Sequence, residues 1–321
     1  MTVLQIGAEE VRERLSLPEC IEAMALAMRA VSSGRFEAPQ RRITPLEHGH
    51  FFLMPGSMAE GPVFGAKLIS LVPGNPERGL PAVQGFIALF DHDSGTPLAL
   101  VDGASITYLR TAATSALATQ YLARKNAQTH GIFGAGVLAM EHLKAIACIR
   151  EITMTRVWAR DSSRAEAFAD LASRQTGLNV VAASAQEAAA CDIVTTVTNA
   201  DEPVLLGQWL APGSHLNLVG AHQPDHREAD SDAVSQASVF VDTREGALKE
   251  AGDILVPMSE GRLGESAIRG EIGQVLEGEV TGRRNDEEIT LFKSLGHVAQ
   301  DIHAAEWVYR RVADSRSNGQ G

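Results

Sequence analysis

Three cations in the N-terminal part of the chain stand in surroundings that make charge costly. Lys67 interrupts "VFGAKLISLVP", a run otherwise apolar enough for a buried strand, and Arg110 interrupts the alanine-rich "ITYLRTAATSALATQYLA". Arg41 lies in "APQRRIT", beside Arg42, which reads as solvent-facing. A buried charge is expensive unless paired. Each cation therefore closes a structural ion pair, stays at the surface where pairing is worth little, or holds an anion. A guanidinium fork matches a planar carboxylate. An amine near other cations has a lowered pKa and can exchange a proton with a substrate nitrogen.

A second constellation is "GIFGAGVLAM", residues 131–140, where G-x-G-x-x-A falls on Gly134, Gly136 and Ala139. The first glycine permits a tight turn, and the second lets backbone approach a pyrophosphate. The alanine lets helix lie close on strand, so that the helix N-terminus faces the phosphates. A bare match is weak, but this one follows a strand, opens a helix and sits in a βαβ unit, which predicts a dinucleotide site. The next strand ends in "VWARDSSR". Ala159 stands where NAD-selective sites usually place an acid, and Arg160 follows, suited to a 2′-phosphate. NADPH is the favoured cofactor; Asp161, able to meet a ribose hydroxyl, keeps NADH open. The expected cofactor-binding set is Gly134, Ala135, Gly136, Val137, Ala159, Arg160, Asp161, Thr196, Thr198 and Val219.

The elements that must position these residues fall into two patterns. Residues 1–115 mix helix and strand. Two short helices broken near Pro18 precede strands in "GHFFLMPGS", "VFGAKLISLVP" and "AVQGFIALFD", and then a long alanine-rich helix. Residues 116–291 alternate strand and helix, with capping boxes expected at Ser163/Glu166 and Ser184/Glu187. This predicts an α/β fold, a Rossmann-type doubly wound parallel sheet beside a mixed α+β domain that about 292–321 completes. With 45% hydrophobic and 21% charged residues, the 321-residue chain reads as globular. A formal charge of −12 argues against nucleic acid and anionic membrane as partners. Cys20, Cys148 and Cys191 form no metal or disulfide pattern and read as buried thiols of a reducing compartment. No metal-ligand spacing appears, and the acidic N-terminus lacks signal-peptide features, so a cytoplasmic protein is expected.

With "LRTAATSALA" before the glycine turn and "LFKSLGHVAQD" after it, the chain resembles the ornithine cyclodeaminase/mu-crystallin family. "MPGS", "GAKLISLVPGNP", "DHDSGTPLALVDGASIT", "TVTNADEPVL" and "GAHQPDHREAD" extend the resemblance nearly end to end. That family includes amino-acid cyclodeaminases, alanine dehydrogenases and cyclic ketimine reductases. The resemblance implies a homodimer joined through the N-terminal halves and the C-terminal helix. It also implies that Arg41, Lys67 and Arg110 bind an amino or imino acid. Arg41 and Arg110 would hold the carboxylate, and Lys67 would pass a proton to the nitrogen. Gln84 is expected to orient Lys67 or the substrate, or to be a plain strand glutamine; Met54 and Leu295 are expected as apolar walls or as plain core. Where cyclodeaminases carry an aspartate for the side-chain amine, this chain has His222, with Asp225 in a later "PDHRE" that resembles the ketimine-reductase branch. His222 is a second proton-transfer candidate or a satisfied loop histidine. His226, His297 and His303 read as structural or solvated.

The first expectation is thus an NAD(P)H-dependent reductase of small cyclic imino acids. Cyclodeamination or amino-acid dehydrogenation is the alternative within enzymes. A nucleotide-binding protein without turnover is the alternative outside them, and retention of all three cations speaks against it.

Overall fold

Burial alternates along the strands around Lys67, and that alternation decides where the lysine points. The computed structural model describes residues 3–318. They divide into two units, residues up to Arg110 together with those from His297 onward, and residues 111–296.

The first unit carries β1 (Leu4–Ile6), α1 (Ala8–Arg14), α2 (Leu17–Ser32), β2 (Phe36–Glu37), β3 (Arg42–Leu46), β4 (Gly49–Met58), β5 (Val63–Leu71), β6 (Val83–Asp91) and β7 (Pro97–Asp102). It also holds the start of α3 (Gly103–Leu122) and the C-terminal helix, Val298–Asn318. The sheet runs β1-β7-β6-β5-β4-β2, with β3 paired to β4. All its pairings are antiparallel except β1 with β7. The break near Pro18 is explained by a capping box between Ser16 and Glu19, which starts α2 and leaves Pro18 in the first turn, where its missing N–H costs nothing. That second helix is 16 residues long, not short, and buries Cys20, Ile21, Met24, Ala27 and Met28 at helical spacing.

On β5 the buried positions are Val63, Gly65, Lys67 and Ile69. Lys67 therefore shares the inward face with apolar residues. The C-terminal helix packs on β4, β5, β6 and α2. Its first residue fits because Gly56 has no side chain; a Cβ there would lie 2.8 Å from Val298 Cγ1.

The second unit is an eight-stranded sheet of β8 (Thr129–Phe133), β9 (Met154–Trp158), β10 (Val180–Ala182), β11 (Ile193–Thr196), β12 (His215–Leu218), β13 (Ser238–Val241), β14 (Ile268–Glu271) and β15 (Thr290–Lys293). The order is β10-β9-β8-β11-β12-β15-β13-β14, and every pairing is parallel. The strand order reverses direction between β8 and β11, the place where doubly wound sheets leave a crevice for ligands. Between strands run α4 (Val137–Ile149), α5 (Ser162–Thr176), α6 (Ala185–Ala189) and further short helices.

The expected box at Ser184 and Glu187 caps α6. The one at Ser163 and Glu166 does not form. Asp161 is the N-cap of α5 instead, its Oδ1 accepting from Ser163 N at 3.0 Å and Ser163 Oγ at 2.7 Å. A carboxylate outcompetes a hydroxyl for the unpaired first-turn amides. Cys20 and Cys191 are buried, but Cys148 is exposed near the end of α4, contrary to the expectation of three buried thiols. No helix among the described residues is long and apolar enough to cross a membrane.

Candidate active site

Lys67 and Arg110 are buried, 1% and 6% exposed, and they share one partner. Lys67 Nζ donates to Asp301 Oδ1 at 2.8 Å, and Arg110 Nε donates to the same oxygen at 3.0 Å. Asp301 is fully buried on the C-terminal helix. The preceding residue, Gln300, accepts from Arg110 Nη1 at 2.9 Å. Burial lowers the Lys67 pKa to about 8; Arg110 and Arg41 lower it too, against Asp301, which raises it. The Asp301 carboxyl is held below its usual range, because Arg110 and Lys67 outweigh its burial. Arg41 lies just before β3, within electrostatic reach of Lys67, whereas Arg42 is exposed. Counting Arg41, the cluster bears three cations against one carboxylate. That charge balance suits an anion, and an amine with a lowered pKa is chemically able to exchange a proton.

Met54 stands directly opposite Lys67 in the β4–β5 register and is buried on the same face. Gln84 is not brought to Lys67. Its register partner is Ser70, three residues along β5 and hence on the other face, and Gln84 is exposed. The residue opposite Lys67 on β6 is Ile87. On the C-terminal helix His303 is buried, its Nδ1 2.8 Å from Ala299 O.

In the second unit Gly134 follows β8 with φ 119°, a conformation that side chains resist, and a Cβ there would lie 2.9 Å from Val197 O. Gly136 is the N-cap of α4, and no atom lies within 4 Å of where its Cβ would be. No side chain caps that helix, its first turn holds no acid, and Val137 is 56% exposed. Open space, first-turn amides and the positive end of a 13-residue helix fit a diphosphate. Ala135 packs on the cluster containing Ala139, which is buried and seats the helix on the sheet. Ala159 is half-buried beyond β9, and Arg160 and Asp161 are exposed.

Beneath the neighbouring strand ends lies a buried carboxylate. Glu228 accepts from Thr196 Oγ1, Thr198 N and Thr198 Oγ1, each at 2.7 Å, and from Gly220 N at 2.6 Å. Thr196 and Thr198 thus donate their hydroxyl hydrogens to Glu228, and Thr198 Oγ1 also accepts from Ala200 N at 3.2 Å. The backbone N–H groups of Glu228 and Ala229 donate to Asp253 Oδ1 at 2.8 and 3.0 Å. Lys293 Nζ joins Asp253 Oδ2 at 2.8 Å to Ala221 O at 2.6 Å. This network fixes the chain around Val219, Gly220 and His222. His222 is half-buried, its Nδ1 3.1 Å from Gly220 O. Leu295 N donates to Asp242 Oδ2 at 2.7 Å, and the side chain packs on the core of this unit.

The model of the ornithine cyclodeaminase/mu-crystallin family matches residues 2–316. The chain belongs to that family. It is 39% identical over 318 residues to a Delta(1)-pyrroline-2-carboxylate reductase of Bacillus cereus, covering 97% of each chain. Among solved structures, the Thermococcus litoralis Delta(1)-pyrroline-2-carboxylate reductase in complex with NADH and L-proline superposes with TM-score 0.94. It is 37% identical, over 98% of each chain. An archaeal alanine dehydrogenase dimer with bound NAD superposes at 0.93, with 32% identity over 98% of each chain.

Within this family member, the residues that sequence reasoning passed over are Asp301, Gln300, Glu228, Asp253 and Lys293. Asp301 and Lys293 lay inside the quoted "LFKSLGHVAQD", and Glu228 inside "GAHQPDHREAD". A cation in an apolar run demands a counter-charge somewhere, and that demand was the available signal. Spacing could not say which acid answers it, since Asp301 stands 234 positions from Lys67.

Proposed function

We propose that the protein is an NAD(P)H-dependent oxidoreductase that reduces the C=N bond of a small cyclic imino acid, of the pyrroline- or piperideine-2-carboxylate type, to the cyclic amino acid. The observation that carries this reading is the buried Lys67–Asp301–Arg110 cluster on the sheet of the first unit. The names of the similar proteins, and the proline bound in one of them, support it.

Arg110 and Arg41 hold the substrate carboxylate, which leaves the ring nitrogen for Lys67. A proton passing from Lys67 Nζ to that nitrogen makes the adjoining carbon a better electrophile. Met54 supplies an apolar wall beside the lysine. The turn Gly134–Val137 holds the dinucleotide phosphates, with Ala159 and Arg160 at the adenosine end; when bound, the reduced cofactor supplies the hydride. His222 offers no fixed negative charge for a second ammonium, which favours an imino acid over a diamino acid. The likeness to the archaeal alanine dehydrogenase favours amino-acid dehydrogenation as the second reading. We infer a homodimer from the same likeness.

The decisive test is loss of nicotinamide absorbance with a panel of cyclic ketimines, 2-oxo acids with ammonia, and ornithine with the oxidised cofactor. Cyclic ketimines should be turned over at least tenfold faster than 2-oxo acids with ammonia, and ornithine should release no ammonia. Ammonia and proline formed from ornithine at enzyme-like rates would overturn the reading.

Cofactor choice rests on Ala159, Arg160 and Asp161. Asp161 caps α5 through Oδ1, and Arg160 stands exposed beside it as a cation suited to a 2′-phosphate. NADPH should bind more tightly than NADH. Arg160→Ala should erase most of the preference, about 1–3 kcal/mol for one charge-assisted contact. Titration of both cofactors by nicotinamide fluorescence measures it, and equal affinities in the unmodified protein would exclude this role.

A further inference from the structure

Lys67 from β5 and Arg110 from α3 converge on one oxygen of one carboxylate. They do so at 2.8 and 3.0 Å, while Oδ2 of Asp301 is buried and accepts no hydrogen bond. The arrangement is unusual for a pair built for stability. Two cations drawn to one oxygen repel each other, which offsets part of what each pair gains. What it achieves is geometric, because the ammonium and the guanidinium edge are tied to a common point. Asp301 is the fourth residue of its helix, near the positive end that favours an anion. Gln300 holds Arg110 Nη1, and its own Nε2 lies 3.2 Å from Met28 Sδ on α2.

Arg110 comes from α3, and Arg41 from the segment before β3. Cys20 comes from α2, a thiol that burial pushes above its usual range, so that it stays neutral. The residues opposite Lys67 on β4 and β6, Met54 and Ile87, are uncharged. Asp301 is thus the counter-charge that opposes loss of the lysine's proton.

We propose that Asp301 is the positioning residue of this site: by binding Lys67 and Arg110 through a single oxygen it keeps the proton on the lysine and fixes the guanidinium that receives the carboxylate. This rests on the reading of Lys67 as proton donor to a ketimine.

The test is the pH profile of kcat/KM for ketimine reduction, which needs protonated Lys67. In the unmodified protein the rate should fall as pH rises through about 8, the value to which burial lowers Lys67. Asp301→Asn keeps the shape and removes the charge, which leaves Lys67 facing Arg110 and Arg41 alone. The falling limb should move toward acid by roughly one to three units. In the reverse direction, oxidation of the cyclic amino acid needs neutral Lys67, and its rising limb should move the same way. Asp301→Glu restores charge but displaces the oxygen, so the limb should stay near its original place while kcat falls. That variant carries the test if the asparagine protein does not fold. A limb unmoved by Asp301→Asn, or full activity in Asp301→Glu, overturns the assignment. An unmodified protein that turns over no ketimine overturns the reading of the reaction instead.

Discussion

Lys67→Ala should lower kcat for ketimine reduction by about 10²–10⁴-fold, the usual worth of a placed general acid. The affinity for NADPH should stay within a few-fold of the unmodified value. Lys67 lies on the sheet of the first unit, whereas the cradle of Gly134, Gly136 and the N-terminus of α4 belongs to the second. The loss should appear in kcat as much as in kcat/KM, because proton transfer is completed only in the transition state. KM should change less, since Arg110 keeps its bond to Asp301. An added primary amine of small volume should restore part of the rate, and the restored rate should follow the amine's protonated fraction. Stopped-flow single turnovers with pyrroline-2-carboxylate, alongside NADPH titration by fluorescence, separate these quantities. An alanine variant that keeps kcat but loses nucleotide binding would assign the lysine to the cofactor and remove the proton-donor role.

The parts of the fold legible in the sequence are those whose signals are local. The glycine turn shows in ten residues because its requirements, a positive φ at Gly134 and open space at Gly136, are met within one strand-helix junction. The parallel sheet shows because β8, β9 and β10 alternate with α4 and α5, whose buried residues recur at helical spacing. β3 was missed because "RITPL" carries Pro45, which demotes a strand signal, and the strand is exposed throughout at the sheet edge. β7 and β14 lie outside the strand-helix alternation that marks the other short strands of the parallel sheet, and the sequence pattern did not disclose them.

The candidate site divides in the same way. Lys67 and Arg110 are visible as charges in apolar runs, but their partner is not. The carboxylate that pairs them arrives on the last helix, docked by the absence of a side chain at Gly56. Asp161 caps α5 through Oδ1, a local role that the expected Ser163/Glu166 box had hidden. Gln84 was open as an orienting group for Lys67 or the substrate, or as a plain strand glutamine; strand pairing sets it opposite Ser70, away from Lys67.

Arg110→Lys should be nearly as damaging as Arg110→Ala, although it preserves the charge. Arg110 donates from Nε to Asp301 and from Nη1 to Gln300, so two edges of one plane are already fixed by protein. A planar group held on two edges arrives at a carboxylate with its orientation set, and little further entropy is lost on binding. A lysine ammonium has a single nitrogen on a flexible stem. If it reaches Asp301 it leaves Gln300 Oε1 without its donor, and in neither place can it offer a fork. Removing one partner of a buried, hydrogen-bonded charge pair costs about 2–5 kcal/mol. Both variants should therefore lose roughly 30- to 5,000-fold in kcat/KM for the ketimine, expressed mostly as a raised KM. They should differ from each other by less than tenfold. In Arg110→Ala, Asp301 retains only Lys67, so the lysine's pKa should rise and the alkaline limb of the reductase profile should move to higher pH. That is opposite in sign to the shift expected for Asp301→Asn, because one change removes a cation beside Lys67 and the other removes its anion. NADPH affinity should persist in both variants. A lysine variant with near-normal kcat/KM would show that charge alone suffices and that no fork holds the substrate. An alanine variant that loses NADPH binding while keeping its substrate KM would move Arg110 out of the substrate site altogether.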